Sequence, residues 1–312
     1  MSRELRTSLR ALVVALALCT PRPAGAAQSS TALVDPACDA DGDGVVDTIG
    51  ADYAEGQQYG NLLNFYAVTL GSSPLHSADP LGPLALDGGL ELSGIPQLSC
   101  AERAVFGGQK TEHTNKSPLF PRLHLTLGLP YGFYVGLSGL PPVPAFGVRT
   151  GVLAGELGYG HTFFEHLELG GRASGVLEHV AGDLAGPLPN ETATDDTFKA
   201  GVWAVEGMAA GRLQAGPVSL RPYLGAGYTR VHATMHIGED NVDVPGDQQE
   251  MGRMQYWGPV GELGIGAGWR RWAGALEGYM VPLHLVDAGN PRFFFAPRVM
   301  VGYNLVQAQP SP

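Results

Sequence analysis

The feature that most constrains this chain is an alternation of apolar and polar side chains that recurs in long segments. From Arg122 to Leu127, leucines alternate with Arg, His and Thr side chains. Between 167 and 177, leucine and alanine side chains share one face, and Glu168 and Arg172 share the other. Because successive side chains of a strand point to opposite faces, the alternation predicts β-strands that each have one apolar face.

Ten segments of the chain show this alternation. Several exceed the usual strand length of about five or six residues, and they match the roughly ten residues that a tilted strand needs to cross a bilayer. The predicted strands cover 84–95, 121–129, 133–140, 145–160, 167–181, 197–213, 218–237, 256–269, 272–285 and 292–305. The sequence therefore predicts an all-β fold, an antiparallel up-and-down transmembrane β-barrel of about ten strands.

The connections between the predicted strands largely alternate between short and long. Short links include 130–132 and 270–271, and the long ones are 96–120, 182–196 and 238–255. Bacterial barrels of the outer membrane have short turns on the periplasmic side and longer loops outside. The two ends of the predicted barrel are thus expected to differ, with the long loops at one end.

Aromatic side chains gather beside the predicted turns, as expected where amphipathic rings lie at the level of the lipid headgroups. These residues are Tyr131, Phe133, Tyr134, Tyr159, Phe163, Phe164, Trp269, Trp272 and Tyr303. A second group, toward the other end, contains Tyr256, Trp257 and 293–295. The two groups predict two aromatic girdles around the barrel.

In RLHLTLGLPYGFYVGLSGLPPV, from Arg122 to Val143, and in FFFAPRVMVGYNL, from Phe293 to Leu305, the chain resembles Gram-negative outer-membrane β-barrel proteins. The resemblance implies outer-membrane lipid as a partner and permits a small solute as a second one. Barrels of this class commonly end on an aromatic residue, whereas this chain continues past Tyr303 into VQAQPSP. A soluble exported β-sandwich binding protein is the alternative, since its strands also alternate. Strand length and the loop pattern favour the barrel.

The start of the chain resembles a secretory signal. A basic stretch, a short apolar run and the small residues of Ala24–Ala26 predict a signal peptide over 1–26 that exports the protein to the bacterial outer membrane. A lipid attached at Cys19 is the competing interpretation. The rest divides into an N-terminal periplasmic or plug segment, the barrel and a C-terminal tail, at 27–83, 84–305 and 306–312.

Charge argues against a nucleic-acid partner. The signal segment holds four Arg and one Glu, so its removal takes the net charge from −11 to −14. Phosphate backbones require a basic face on the protein. We therefore expect no nucleic-acid partner; the sequence does not predict an oligomeric state.

The segment 27–83 carries a cluster of acidic residues. Asp39, Asp41, Asp43 and Asp47 form the pattern D-x-D-x-D-G-x-x-D, which resembles the calcium loops of EF-hands and thrombospondin type 3 repeats. The twelfth position is Gly50 rather than the bidentate Glu of an EF-hand. Calcium is therefore one possibility for a cofactor, and a polar turn without an ion is the other.

One short amphipathic helix is predicted after the acidic loop. Apolar side chains between Tyr59 and Leu70 recur at helical spacing. The helix is expected to plug the lumen, to cover the periplasmic mouth or to pack beside the first strand.

Two cysteines, Cys38 and Cys100, follow the predicted signal peptide. An even number in an exported protein permits a disulfide, and two unlinked thiols are the alternative. A disulfide conflicts with the simplest membrane topology, which puts Cys38 in the periplasm and Cys100 in an outside loop. Its presence would require that 84–95 does not span the membrane or that the N-terminal segment threads the lumen.

The polar faces of the strands carry charged residues, which a barrel turns toward its lumen. The predicted lumenal charge network comprises Glu168, Arg172, Glu206, Arg221, Glu262 and Arg298. Arg149 and Glu156 have opposite phases, and a bulge is predicted to reconcile them. The face of Glu277 is left open.

No nucleophile, base and orienting residue can be combined into a catalytic site, so no enzymatic activity is expected. Two classes of function remain. One is a structural or surface-interacting barrel, and the other is a narrow channel or carrier for small or hydrophobic solutes, since about ten strands leave little open lumen.

Overall fold

The computed structural model describes the N-terminal segment in part and the barrel nearly throughout. The described residues are 34–47, 65–75, 81–95, 98–105, 110–111, 119–145, 148–164, 166–182, 196–236, 250–283 and 292–306. The predicted signal peptide, Cys19, Gly50 and most of the predicted tail lie outside them.

Ten long strands form one antiparallel sheet that closes on itself. They are β1 (Leu86–Gly94), β2 (Leu119–Gly128), β3 (Phe133–Ala145), β4 (Val148–Phe163), β5 (Leu167–Gly182), β6 (Asp196–Gly211), β7 (Val218–His236), β8 (Glu250–Trp269), β9 (Trp272–Leu283) and β10 (Arg292–Val306). Each strand pairs with the next along the chain, and β10 pairs with β1 to complete the ring. The predicted up-and-down β-barrel of ten strands is confirmed. The two-sheet sandwich is wrong because, in the described part of the chain, all ten long strands belong to one closed sheet.

A few short elements accompany the barrel. Residues 65–70 are helical. Cys100–Arg103 forms one helical turn, Ala104–Val105 pairs with Lys110–Thr111, and Leu213–Ala215 pairs with the start of β7. Pro130–Gly132 is a 3₁₀ turn. Within the described ranges, no helix has the length and apolar character needed to cross a membrane.

The two ends of the barrel differ in the length of their connections. At one end, which we call the turn end, strands are joined through 129–132, 164–166, 212–217 and 270–271. At the other, the loop end, the connections are 95–118, 146–147, 183–195, 237–249 and 284–291. β1 enters the barrel wall at the turn end, where Leu86 pairs with Leu127 of β2.

Alternation along the strands sorts side chains between the two faces of the wall. Large apolar residues such as Leu137, Val205 and Leu263 are more than half exposed on the outside, while acidic and arginine side chains are buried inside. Glu277, whose face the sequence leaves open, is buried in the lumen. The barrel therefore turns its apolar surface outward, the reverse of a water-soluble fold.

Glycines let bulky lumenal side chains lie flat against the wall. Tyr134 is 1% exposed and lies over Gly158 of the neighbouring strand, where a Cβ atom would overlap the phenol ring. Tyr223 covers Gly264 in the same way. The assignment of Tyr134 to an outer aromatic girdle is therefore wrong, since its ring fills the lumen.

The phase problem in the fourth predicted strand is resolved without a bulge there. Arg149 is exposed on the outside of β4, and Glu156 is buried inside. The irregularity falls instead in β3, between Leu140 and Val143.

Candidate functional site

The N-terminal segment passes through the barrel. Residues 65–75, which we call the plug, lie within the lumen, and their helical part fills its half toward the loop end. Phe65, Ala67, Val68 and Leu70 are buried there. The wall residues that pack around them are Phe120, Val152, Ala154, Val176, Val180, Phe198, Ala200, Val202, Val231, Ala233, Met235, Val260, Tyr279, Val281, Phe294 and Ala296. This half of the lumen is thus a continuous apolar core.

After the helical part, the plug continues through a layer of charged side chains. The residue that follows the helical part must be Gly71, because a Cβ atom at that position would overlap the carboxylate of Glu178 and the side chain of Val202. Ser72, Ser73 and Leu75 follow and are each 1% exposed. The plug is therefore as enclosed as the core of a soluble protein.

Arg122 of β2 is the first of three arginines that bind the plug. One terminal nitrogen donates to the carbonyl oxygen of Ser72 at 2.7 Å, and the other donates to that of Leu70 at 2.8 Å. The side chain is fully buried, so its charge needs polar partners in place of water. The backbone of the plug supplies them.

Arg172 of β5 joins the plug to glutamates of two other strands, β6 and β8. Its Nε lies 2.6 Å from Glu206, and a terminal nitrogen lies 2.5 Å from Glu262. The same guanidinium donates to the carbonyl oxygen of Pro74 at 2.5 Å and to the hydroxyl of Ser73 at 3.0 Å. Charge-assisted bonds of this kind are the strong ones in protein interiors.

Arg298 of β10 completes the set. It forms an ion pair with Glu277 and donates to the carbonyl oxygen of Ser73, and its second terminal nitrogen lies 3.3 Å from Glu262. The guanidinium also stacks 4.6 Å from the ring centre of Tyr279. Three strands, β8, β9 and β10, and the plug therefore meet at a single side chain.

Glu91 of β1 closes the layer on the turn side. Its carboxylate accepts from the backbone N–H of Leu75 at 3.2 Å and from the hydroxyl of Ser93 at 2.8 Å. His124 Nε2 lies 2.7 Å from the same carboxylate. We call Glu91, Arg122, Arg172, Glu206, Glu262, Glu277 and Arg298 the charged layer. Its side chains hold the extended part of the plug from all around the wall.

The structure divides the network predicted from the sequence into two clusters. Arg172, Glu206, Glu262 and Arg298 meet in the charged layer. Glu168 lies apart, 2.8 Å from Arg212 and 3.8 Å from Arg221, which is partly exposed near the turn end.

Sequence reasoning missed Glu91, Arg122 and the plug residues as parts of one site. Arg122 alternates with leucines and Glu91 lies between Leu90 and Leu92, so both stood on recognisable polar faces. Ser73 offered no such pattern. Its hydroxyl oxygen lies 3.0 Å from the carboxylate of Glu206 and 3.1 Å from that of Glu262, contacts that only the threaded chain creates.

A cavity of about 100 Å³ lies on the turn side of the plug. Leu75 forms part of its wall, and Asp87, His124, Arg221 and Tyr303 supply its charged or titratable side chains. Glycine and alanine residues of β8, β9 and β10 make up much of the remaining lining. The space suits a few water molecules or a very small solute.

Cys38 and Cys100 form a disulfide with a Cα–Cα distance of 5.4 Å. Arg103 binds Asp35 at 3.0 Å beside it, and the N–H of Asp35 donates to the hydroxyl of Thr111. The bond thus fastens the beginning of the chain to the connection between β1 and β2, at the loop end. Of the possibilities left by the sequence, the structure has the one in which β1 spans the wall and the N-terminal segment threads the lumen.

The aspartate loop is closed by its own side chains. Ligand oxygens of Asp39, Asp41 and Asp43 lie within 4.8 Å of one another. The Asp39 carboxylate accepts from the N–H groups of Gly42 and Gly44, and Asp47 accepts from that of Ala40. These bonds account for the loop as a set of capped turns, and the calcium site stays a prediction.

No protein-family model matches the sequence. No curated relative matches it either. Among solved structures, similarity extends to Ail, the attachment invasion locus protein of Yersinia pestis, at 12% identity over 72% of this chain and 97% of that one, with a TM-score of 0.26. The translocator domain of the autotransporter NalP from Neisseria meningitidis is 11% identical, over 89% and 100%, with a TM-score of 0.33.

The toluene transporter TodX of P. putida is similar at 12% identity, over 75% of this chain and 68% of that one, with a TM-score of 0.28. At such identities and TM-scores, these likenesses carry no argument about what this chain binds or moves.

Proposed function

We propose that this chain is an outer-membrane β-barrel. The support lies in its outer surface, where large apolar side chains such as Leu153, Val205 and Leu276 are more than half exposed. Exposed aromatic rings at the turns, among them Tyr131 and Phe164, fit the level of the lipid headgroups. An apolar band flanked by aromatic residues is the surface that a bilayer solvates and water does not.

Within that membrane, we infer that the protein is a closed, structural or surface-interacting barrel and not an open pore. One observation carries this proposal: the three buried arginines of the charged layer all donate to carbonyl oxygens of the plug. Removing the plug would take carbonyl acceptors from all three arginines. Arg172 and Arg298 would keep their ion pairs with the wall, but each buried donor left without its acceptor costs about 1–3 kcal/mol. The closed state is therefore strongly favoured, and the loop end is the surface that can meet other molecules.

A narrow carrier for small or hydrophobic solutes is the second candidate. The half of the lumen toward the loop end is apolar, whereas lumens of this class of barrel are usually polar. An apolar solute could occupy this half of the lumen only if the helical part of the plug moved out. The cavity at the turn end would then lie on the same path.

We also propose that the protein is not an enzyme. The charged residues that a catalytic site would need are engaged with the plug and with one another, and the predicted carboxylates and arginines of the lumen therefore have a structural role. In the described part of the chain, they form no set of nucleophile, base and orienting residue.

Conductance of the purified full chain in a planar bilayer tests the closed barrel against the carrier. We expect no steady conductance from the unaltered protein. Ser73→Asp places a carboxylate against Glu206 and Glu262 and should loosen the plug and admit current. Thr197→Asp, on the outside of β6, is the matched control and should stay closed. A steady, selective conductance from the unaltered protein would establish the channel instead.

A further inference from the structure

Basic side chains gather on one part of the outer wall near the loop end. Lys199 of β6 and Arg230 of β7 are exposed there, together with His179 of β5 and His232 of β7. Arg149 of β4 is exposed at the edge of the same area. We call these five residues the basic patch. Lys199 is one of only three lysines in a chain whose net charge is negative. The basic patch therefore differs in charge from the protein as a whole.

The register of the strands brings the patch together. His179 pairs directly with Lys199, and His232 pairs with Gly201, two residues further along β6. Directly paired residues on neighbouring strands have Cα atoms about 5 Å apart, and a step of two residues adds about 7 Å along the strand. Arg230 pairs with Trp203, four residues from Lys199 and about 13 Å from it along the strand, so these two long side chains can reach one lipid headgroup from two sides.

The patch lies beside an aromatic row. Arg230 pairs with Trp203 on one side and with Trp257 on the other, and both indoles are well exposed. Tryptophans on the outside of a membrane barrel mark the level of the headgroups. Lys199 and His179 lie further toward the loop end, above the tryptophans. This is the depth at which lipid phosphates are found.

These cations have no partner within the part of the chain described by the structure. Lys199, Arg230 and Arg149 form no ion pair there. The acidic residues of β4–β7 whose side chains the structure describes are buried in the lumen, namely Glu156, Glu168, Glu178 and Glu206. Basic side chains on a lipid-facing surface cost most at the bilayer centre and little near its interface. Their long stems extend along the wall so that the charge reaches the headgroup layer.

We propose that the basic patch binds an anionic phosphate-bearing lipid in the leaflet at the loop end. Lys199 and Arg230 contact phosphate groups of its headgroup, while the exposed faces of Trp203 and Trp257 pack against the upper part of its acyl chains. Charge complementarity selects the headgroup, since each Lys or Arg near a membrane surface attracts anionic lipid. The proposal rests on the membrane location argued above and gives it a specific lipid contact.

Native mass spectrometry of the full chain tests the site. The detergent-purified protein is incubated with diphosphorylated lipid A or with zwitterionic phosphatidylcholine, and retained lipid is counted. We expect lipid A to be retained preferentially, and Lys199→Gln and Arg230→Gln each to weaken that retention about fivefold. Arg270→Gln is the matched control, because Arg270 also lies against a tryptophan, 4.9 Å from the Trp269 ring, but at the turn end. The control should retain lipid A as the unaltered protein does.

Flotation with phosphatidylcholine vesicles separates this inference from the proposed membrane location. A chain that fails to float with the vesicles would overturn the membrane barrel itself. A chain that floats yet retains both lipids equally, or whose retention of lipid A is unchanged by Lys199→Gln and Arg230→Gln, would overturn the basic patch as a lipid site and leave the barrel standing.

Discussion

The guanidinium of Arg172 lies 2.5 Å from the carbonyl oxygen of Pro74, which is 98 residues earlier in the chain. The contact joins the barrel wall to a segment that precedes every strand of the barrel in the sequence. The remaining nitrogens of Arg172 bind Glu206 and Glu262, so wall and plug share one network of charges. The plug is consequently part of the folded core and not an appendage.

Removing Arg298 should destabilise the fold without opening it. Arg298→Ala leaves Glu277 buried without its cation, and breaking a buried pair in this way costs about 3–5 kcal/mol. Urea unfolding in detergent micelles measures the loss. Arg221→Ala is the control, because its side chain is partly exposed and 3.8 Å from Glu168, so it should cost about 1 kcal/mol or less. Equal losses for the two variants would contradict the role of the charged layer.

An arginine placed at the middle of the outer wall should distinguish a lipid-facing surface from a water-facing one. Leu263 is 63% exposed on β8, midway along the strand between Trp257 and Trp269. In a bilayer, Leu263→Arg should cost about 2–4 kcal/mol, whereas Leu213→Arg near the turn end should cost about 0–1 kcal/mol. Unfolding from lipid vesicles provides the measurement. A soluble barrel would tolerate both changes about equally.

Gly71 should be required for the plug to remain bound in the lumen. Gly71→Leu forces a side chain into the space of Glu178 and Val202 and should expel the plug from the charged layer. Thr69→Cys supplies a buried thiol as a probe. A water-soluble maleimide should label that cysteine in the Gly71→Leu background and leave it unlabelled in the Thr69→Cys variant alone. Labelling in both would mean that the plug is mobile without any change.

The disulfide should hold the N-terminal segment to the loop end and contribute little to the barrel. Peptide mass mapping of the unreduced protein should find Cys38 linked to Cys100. Cys38→Ser with Cys100→Ser should increase hydrogen exchange at 34–47 and leave β4–β7 protected, because the bond joins only the N-terminal segment and the β1–β2 connection. Loss of protection throughout the barrel would contradict this division.

Calcium binding by the aspartate loop is tested by calorimetry on the full chain. If three carboxylates with oxygens within 4.8 Å share one ion, millimolar calcium should release heat, and Asp41→Asn should abolish it. Asp87→Asn, in β1, is the acidic control and should leave the signal unchanged. An absence of heat from the unaltered chain would identify the loop as a capped turn only.

The sequence by itself determined the barrel. Period-two alternation is a local property, visible within six residues such as Arg122 to Leu127, and it predicted all ten strands with their bounds within six residues. The same alternation assigned Arg172, Glu206 and Glu262 to the lumen, because a strand with an apolar outer face leaves its polar face inside. These inferences required no knowledge of which strand meets which.

The tertiary structure alone decided what fills the lumen. The helical spacing before Leu70 allowed a plug, a cover or a helix beside β1, because an apolar helix buries its surface equally well in any of them. The choice depends on contacts across the whole chain, such as Arg298 with Ser73 over 225 residues, which exist only once the ring has closed. Closure also separated Glu168 and Arg221 from the charged layer. Local pattern fixes the face of each side chain, but the register and the threading of the barrel decide which charges meet.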